Sequence, residues 1–350
     1  PGGRQQGHLG AVGMMLARVA EALFWASRDI ERAETTARGL AVGHAATLEA
    51  AFGSGSAARG EASWEALVEL AGDPEAFSEI AEEATATSVS WYLTFGEGNP
   101  NSVESSITRA RETVRSVRDQ LPSEVWEAVN TLYLDLADWS SARLEREGPY
   151  PFCAQVRQQI FLVYGLVEHS VRHDDAYQFF RLGRFLERAD RTARLLEVAH
   201  NIGADREPTG PFDVQRSATV LRAARAFEAF IAVEPNDMSS AAVSRFLILD
   251  DRHPCAISFC IDNLADALRD LARTGDILAN APPHMAVGVA RDLLDTAGRL
   301  PRDRILAQLL ARLRRLADTI EATIVESCFL AEYDRRPAVA VVQSTLQPQD

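Results

Sequence analysis

Two segments of this chain combine carboxylates and arginines at helical spacing. In the first, Ser27, Glu31, Glu34 and Arg38 stand three or four residues apart, with Arg28 and Arg32 one step round the same helix. In the second, Gly183, Glu187, Asp190 and Arg194 keep that spacing, flanked by Arg184 and Arg188. Several chemistries suit such a cluster. Arginine forks grip a carboxylate while a glutamate accepts from an amine, which fits a zwitterionic ligand such as a peptide or amino acid. Glu31 or Glu187 could instead serve as general acid/base in amide formation or hydrolysis. The structural alternative is that arginines at i−3 and i+4 neutralise acids at a tight helix interface, with the small Ser27 and Gly183 letting another helix approach. A di-metal site needs Glu-x-x-His on two helices. Glu197-x-x-His200 has that spacing, but Ala41-x-x-His44 lacks the acid, so neither a metal nor a cofactor is expected.

A second candidate region follows Asn99-Pro-Asn-Ser-Val103, a turn leading into a helix with Asn101 or Ser102 as its N-cap. Arg111, Glu112, Arg115 and Arg118 then form an arginine stripe, either a solvated face or an anion-binding face at a cleft. Ser102 has no base near it in sequence, which argues against a nucleophile. Asp174 and Asp175 suit the positive N-terminus of the helix they precede. The candidate ligand set is therefore Arg28, Glu31, Arg32, Glu34, Arg184, Glu187, Arg188, Asp190, Asn101, Ser102, Arg111 and Arg115.

The elements that must position these groups are helices. Val19, Leu23, Ala26, Ile30, Ala33, Ala37 and Leu40 fall on one face of a helix. Comparable periodicity predicts helices over 64–82, 102–120, 124–147, 153–171, 176–200, 214–232, 256–274, 286–298 and 302–332. The best strand signal is Ala338–Val342. Asn201–Pro211, polar with Gly and Pro, reads as a long loop or boundary. Phe24–Leu40 (FWASRDIERAETTARGL) aligns without a gap on Phe180–Leu196 (FRLGRFLERADRTARLL), with nine of 17 positions identical. Gly98-Asn-Pro-Asn-Ser-Val103 is echoed more weakly by Arg252-His-Pro-Cys-Ala-Ile257. The expectation is an all-α helical bundle made of two diverged copies of a multi-helix unit with pseudo-twofold symmetry. Residues 15–170 and 171–335 would be the halves, 1–14 a disordered lead or cloning remnant, and 336–350 a tail.

Composition removes several function classes. The chain has no lysine, so all 36 basic residues are arginine. That excludes Schiff-base chemistry and Walker-type phosphate loops. A net charge of −14 disfavours nucleic acid and anionic membrane surfaces as partners. No apolar run is long enough to span a bilayer, and no secretory signal opens the chain. Cys153, Cys255, Cys260 and Cys328 form no C-x-x-C pair and read as reduced core thiols in a cytoplasmic protein.

Met15-Leu-Ala-Arg-Val-Ala-Glu-Ala-Leu-Phe-Trp25, running into Arg28-x-x-Glu-Arg-Ala-Glu34, resembles the opening of the bacterial alpha-E proteins. Asn99-Pro-Asn-Ser-Val103, Ala110-Arg-Glu112, Arg115 and Trp126 resemble that family's middle motif, and Phe180-x-x-Gly-Arg-Phe-Leu-Glu-Arg-Ala-Asp190 its second signature. Thr113 and Ser27 depart from the family's frequent Asn and Gly. Alpha-E proteins are encoded beside, or fused to, a circularly permuted ATP-grasp protein, with a transglutaminase-like protease and sometimes a proteasome-like hydrolase nearby. The resemblance implies an accessory, peptide- or partner-binding component of an ATP-grasp-linked peptide ligation or tagging system. The alternatives are an amide-bond enzyme using Glu31 or Glu187 and a purely structural scaffold.

Overall fold

The structure, a computed structural model, describes the backbone of residues 5–52, 57–96, 98–203, 211–274, 282–297 and 306–330. Among the described residues every regular element is helical. A first series comprises α1 (Gln5–Phe52), α2 (Ala57–Ala71), α3 (Pro74–Ser78), α4 (Ala86–Phe95), α5 (Val103–Ser116), α6 (Ser123–Ala137), α7 (Ser141–Glu147) and α8 (Pro149–Ser170). A second comprises α9 (Asp175–Gly203), α10 (Pro211–Ala223), α11 (Phe227–Val233), α12 (Ser240–Leu249), α13 (Ile257–Thr274), α14 (Pro282–Ala297) and α15 (Leu306–Ile324), the last running into a π-helical turn, Val325–Leu330. No helix of the described part is long and apolar enough to cross a membrane.

Local chemistry divides what periodicity had joined. The helix expected over 64–82 stops at Ala71, where Gly72 N–H closes on Val68 O at 2.8 Å. Asp73 then starts α3, accepting from the backbone N–H of Glu75 and Ala76 with Pro74 in the first turn. The span 124–147 breaks before Ser140, whose hydroxyl caps α7. The span 214–232 breaks at Arg225, whose φ of 59° cannot continue a right-handed helix. Helices α4 and α12 were not expected. Val89, Ser90, Tyr92, Leu93 and Thr94 are buried in one, and Ala242, Val243, Ser244, Phe246, Leu247 and Ile248 in the other, so the polar positions are too few to set a period. Helix α1 begins at Gln5, inside the expected lead. The tail and the Ala338–Val342 strand signal lie outside the described residues. The expected boundary at 170/171 falls between α8 and α9.

Helices α1 and α9 pack against each other along the middle of the molecule. Val19, Leu23, Ala26, Ile30, Ala33, Ala37 and Leu40 are all buried, as the stripe requires. The described residues form two hydrophobic cores. One is built mainly from the first series of helices and includes Phe180 and Tyr177 of α9. The other is built from the second series and includes Phe24 and Ala20 of α1. Each central helix thus sends an aromatic ring into the core of the opposite series.

Candidate functional site

The site is set by how closely the two central helices approach. A Cβ added to Gly183 would lie 2.2 Å from Phe24 O and 2.2 Å from Ser27 Oγ, so no side chain fits there. Ser27 is fully buried and donates to Phe24 O at 2.9 Å, which keeps its hydroxyl satisfied at the crossing. One turn further along each helix stand the two glutamates. Both are fully buried, at 0% exposure.

Their partners are reciprocal. Arg188 of α9 forks onto Glu31 of α1, with Nε to Oε1 and Nη2 to Oε2, both at 2.7 Å. Arg32 of α1 forks onto Glu187 of α9, with Nε to Oε1 at 2.8 Å and Nη2 to Oε2 at 2.9 Å. Two further donors complete each carboxylate. Glu31 accepts from Arg225 Nη2 and from the Tyr164 hydroxyl, both at 2.6 Å. Glu187 accepts from Arg28 Nε and Arg191 Nε, both at 2.9 Å. An ionised carboxylate offers about four lone-pair sites, so both are saturated by the protein's own donors.

Burial alone would raise both carboxyl pKa values, but the facing arginines outweigh it. Arg188 and Arg225 hold Glu31 far below the usual carboxylate range, and Arg191, Arg32 and Arg28 do the same for Glu187. Burial, with the Glu31 charge beside it, pushes the Tyr164 hydroxyl well above its ordinary value. Both glutamates are thus held as carboxylates whose lone pairs are already occupied.

The remaining candidates sort by distance from this lock. Glu34 is buried, bound by Arg38 Nε at 2.9 Å and lying 3.3 Å from Arg225 Nη1. Arg28 also pairs with Glu321 of α15. Asp190 is mostly buried, with Arg314 at 3.9 Å, and burial raises its carboxyl pKa. Arg184 lies over the Tyr164 ring at 4.2 Å, with its buried Nε lacking a partner. Asn101 meets the cluster, its Oδ1 accepting from Arg191 Nη2 at 3.4 Å. Ser102 caps α5 by accepting from Ser105 N–H. Arg111 and Arg115 lie elsewhere: both pair with Glu112, and Arg111 lies over Tyr133 and Trp126. Glu197 of the metal-like pair is engaged by Arg314.

Sequence reasoning missed Arg225, Arg191, Tyr164, Asp29 and Arg109. Arg191 could have been found, because it stands at i+4 from Glu187. Asp29, held by Arg109 Nη2 at 2.7 Å and Arg32 Nη1 at 3.1 Å, faces a helix distant in sequence. Tyr164 and Arg225 gave no local signal, since one sits on α8 and the other in a left-handed turn after α10.

Residues 15–327 match the Alpha-E family, described as a predicted alpha-helical domain with a conserved ER motif, and the chain belongs to that family. Glu31-Arg32 and Glu187-Arg188 are Glu-Arg pairs of the kind this description names. No curated protein and no solved structure matches the chain.

Proposed function

We propose that this protein is a non-catalytic, accessory component that binds a peptide or a protein partner within an ATP-grasp-linked peptide ligation or tagging system. One observation carries the reading: Glu31 and Glu187, the acids the sequence offers as a catalytic pair, are saturated and sealed between α1 and α9. Family membership supplies the setting, through the alpha-E association with circularly permuted ATP-grasp and transglutaminase-like proteins. The surface offers a place for a partner. Tyr150, Phe161 and Leu162 on α8 are 60%, 44% and 53% exposed, in a helix that buries Phe152, Val156, Ile160, Val163 and Val167.

The same reading treats the chain as two diverged copies related by a pseudo-twofold axis. Support comes from the reciprocal Glu-Arg forks and from the exchange of Phe24 and Phe180 between cores. It also comes from Thr36 donating to Asn101 O and Thr192 to Cys255 O at matching points. The remaining donors break the symmetry. Glu187 takes Arg191 from its own helix, where the other copy has Thr35, and Glu31 takes Arg225 from after α10.

The test is co-purification with the genomically adjacent ATP-grasp protein. A stable complex that changes ATP turnover is expected, and Phe161→Glu with Leu162→Glu should abolish it without lowering the melting temperature. Absence of any complex would overturn partner binding, and the chain should then be screened for amide-bond activity before the scaffold reading is adopted.

A further inference from the structure

Above the lock the two halves leave a cleft. Its walls include Thr35, Thr192, Arg188, Arg191, Arg225 and Cys255, with Leu70, Ala71, Leu195 and Ala223 as an aliphatic rim. Three guanidiniums and no carboxylate line it. All three are anchored below, on Glu31 and Glu187, yet each keeps donor capacity. Arg188 Nη1 reaches Pro254 O only at 3.4 Å, and Arg191 reaches Leu70 O at 3.5 Å and Asn101 Oδ1 at 3.4 Å. These lengths are at the limit of a useful hydrogen bond. Arg225 Nε is buried with no acceptor at all. That arginine is also the only described non-glycine residue with positive φ, a strained backbone of the sort that accumulates at binding sites.

The hydroxyls do not compete for this role. Thr192 donates to Cys255 O at 2.9 Å and Thr35 to backbone carbonyls of its own helix at 3.0 Å. Their hydrogens are therefore engaged, and the donors left for a ligand are the guanidiniums. The free space enclosed is about 30 Å³, room for about two water-sized groups. That is the size of a carboxylate and too small for a whole amino acid, so the remainder of a ligand would lie along the aliphatic rim.

We propose that this cleft is a carboxylate-binding site that takes the terminal carboxylate of a small, aliphatic peptide end against Arg188, Arg191 and Arg225. The proposal deepens the peptide-binding reading above and rests on it. It moves the ligand away from Glu31 and Glu187 themselves and makes those glutamates the fixed base that aims the arginines. The buried Cys255 thiol lies beside the same groups: burial raises its pKa, but Arg225, His253 and Arg188 outweigh that and bring it below the ordinary value.

The experiment titrates the full chain with N-acetylalanine, N-acetylalaninamide and inorganic phosphate by ligand-observed NMR. The acid should bind at least about tenfold more tightly than its neutral amide, the difference a charge-assisted fork makes. Arg191→Met should lose the acid, because Glu187 keeps its bonds from Arg32 and Arg28. If that variant does not fold, the preference for acid over amide in the unaltered chain decides. Equal binding of acid and amide, no binding at tens of millimolar acid, or binding of phosphate alone would overturn the proposal. Failure here with an intact ATP-grasp complex would leave partner binding standing, and the converse result would separate the two the other way.

Discussion

At the scale of single residues, the reciprocal forks turn two acids into a clamp whose strength depends on every donor being present. Removing one partner of a buried, hydrogen-bonded pair leaves uncompensated charge and costs about 3–5 kcal/mol. Glu187→Gln, which takes the carboxylate from Arg191 and leaves Arg28 and Arg32 with only Glu321 and Asp29, should lower the urea unfolding free energy by about that amount. A loss under about 1 kcal/mol would mean the cluster is far better hydrated than its burial implies. The same groups set the response to acid. Glu31 and Glu187 have depressed pKa values in the fold, so their contribution is complete above the unfolded value of about 4.5. As pH falls below that point the unfolded chain binds protons that the native state refuses, and stability declines. Asp29 and Asp190, whose carboxyls burial raises, work the opposite way and offset part of the loss. The urea midpoint should therefore fall steeply below about pH 4.5 in the natural chain and less steeply in Glu187→Gln.

At the scale of elements, the crossing of α1 and α9 depends on one missing side chain. Gly183→Ala places a methyl 2.2 Å from Phe24 O, and a backbone atom cannot rotate away. The helices must separate, which lengthens all the forks together, so a loss of about 3 kcal/mol is expected, at the upper end of overpacking costs. Gly165→Ala on α8 is the control: its Cβ meets nothing within 4 Å, and helix propensity predicts a gain of about 0.5–1 kcal/mol. Thermal melts of the two variants decide the matter, and equal melting temperatures would contradict the close crossing. This geometry was partly legible in the sequence. The apolar stripe of α1 and the small residue one turn before each glutamate sit on single helices, where spacing reports position. The partner each glutamate takes was not legible, because Arg188 and Arg225 are 157 and 194 residues away from Glu31. Helical period says which face a side chain occupies and nothing about what faces it. Helices α4 and α12 escaped for a related reason, being buried on nearly all sides.

At the scale of the whole molecule, neither half carries a complete interior. The core of the first series needs Tyr177 and Phe180 from α9, and that of the second needs Ala20 and Phe24 from α1. The charge lock is shared in the same way. Without α9 and α10, Glu31 would keep Tyr164 but lose Arg188 and Arg225, leaving a buried anion with no cation of its own. Without α1, Glu187 would keep only Arg191. These losses fall on the same surface as the missing aromatic rings, so they cannot be relieved separately, and cooperative unfolding of the whole chain follows. A chain divided between Arg172 and His173, in the short link between α8 and α9, gives a direct test. Each fragment expressed alone should be insoluble or lack a cooperative melt. Co-expressed, they should purify together in a one-to-one complex, because every interaction that joins them is non-covalent and independent of the link. Weakening the lock with Glu187→Gln should abolish that reassembly at a concentration where the unaltered fragments pair. Two separately folded, non-associating fragments on size exclusion would show instead that the halves are independent domains and that the Glu-Arg forks do not join them.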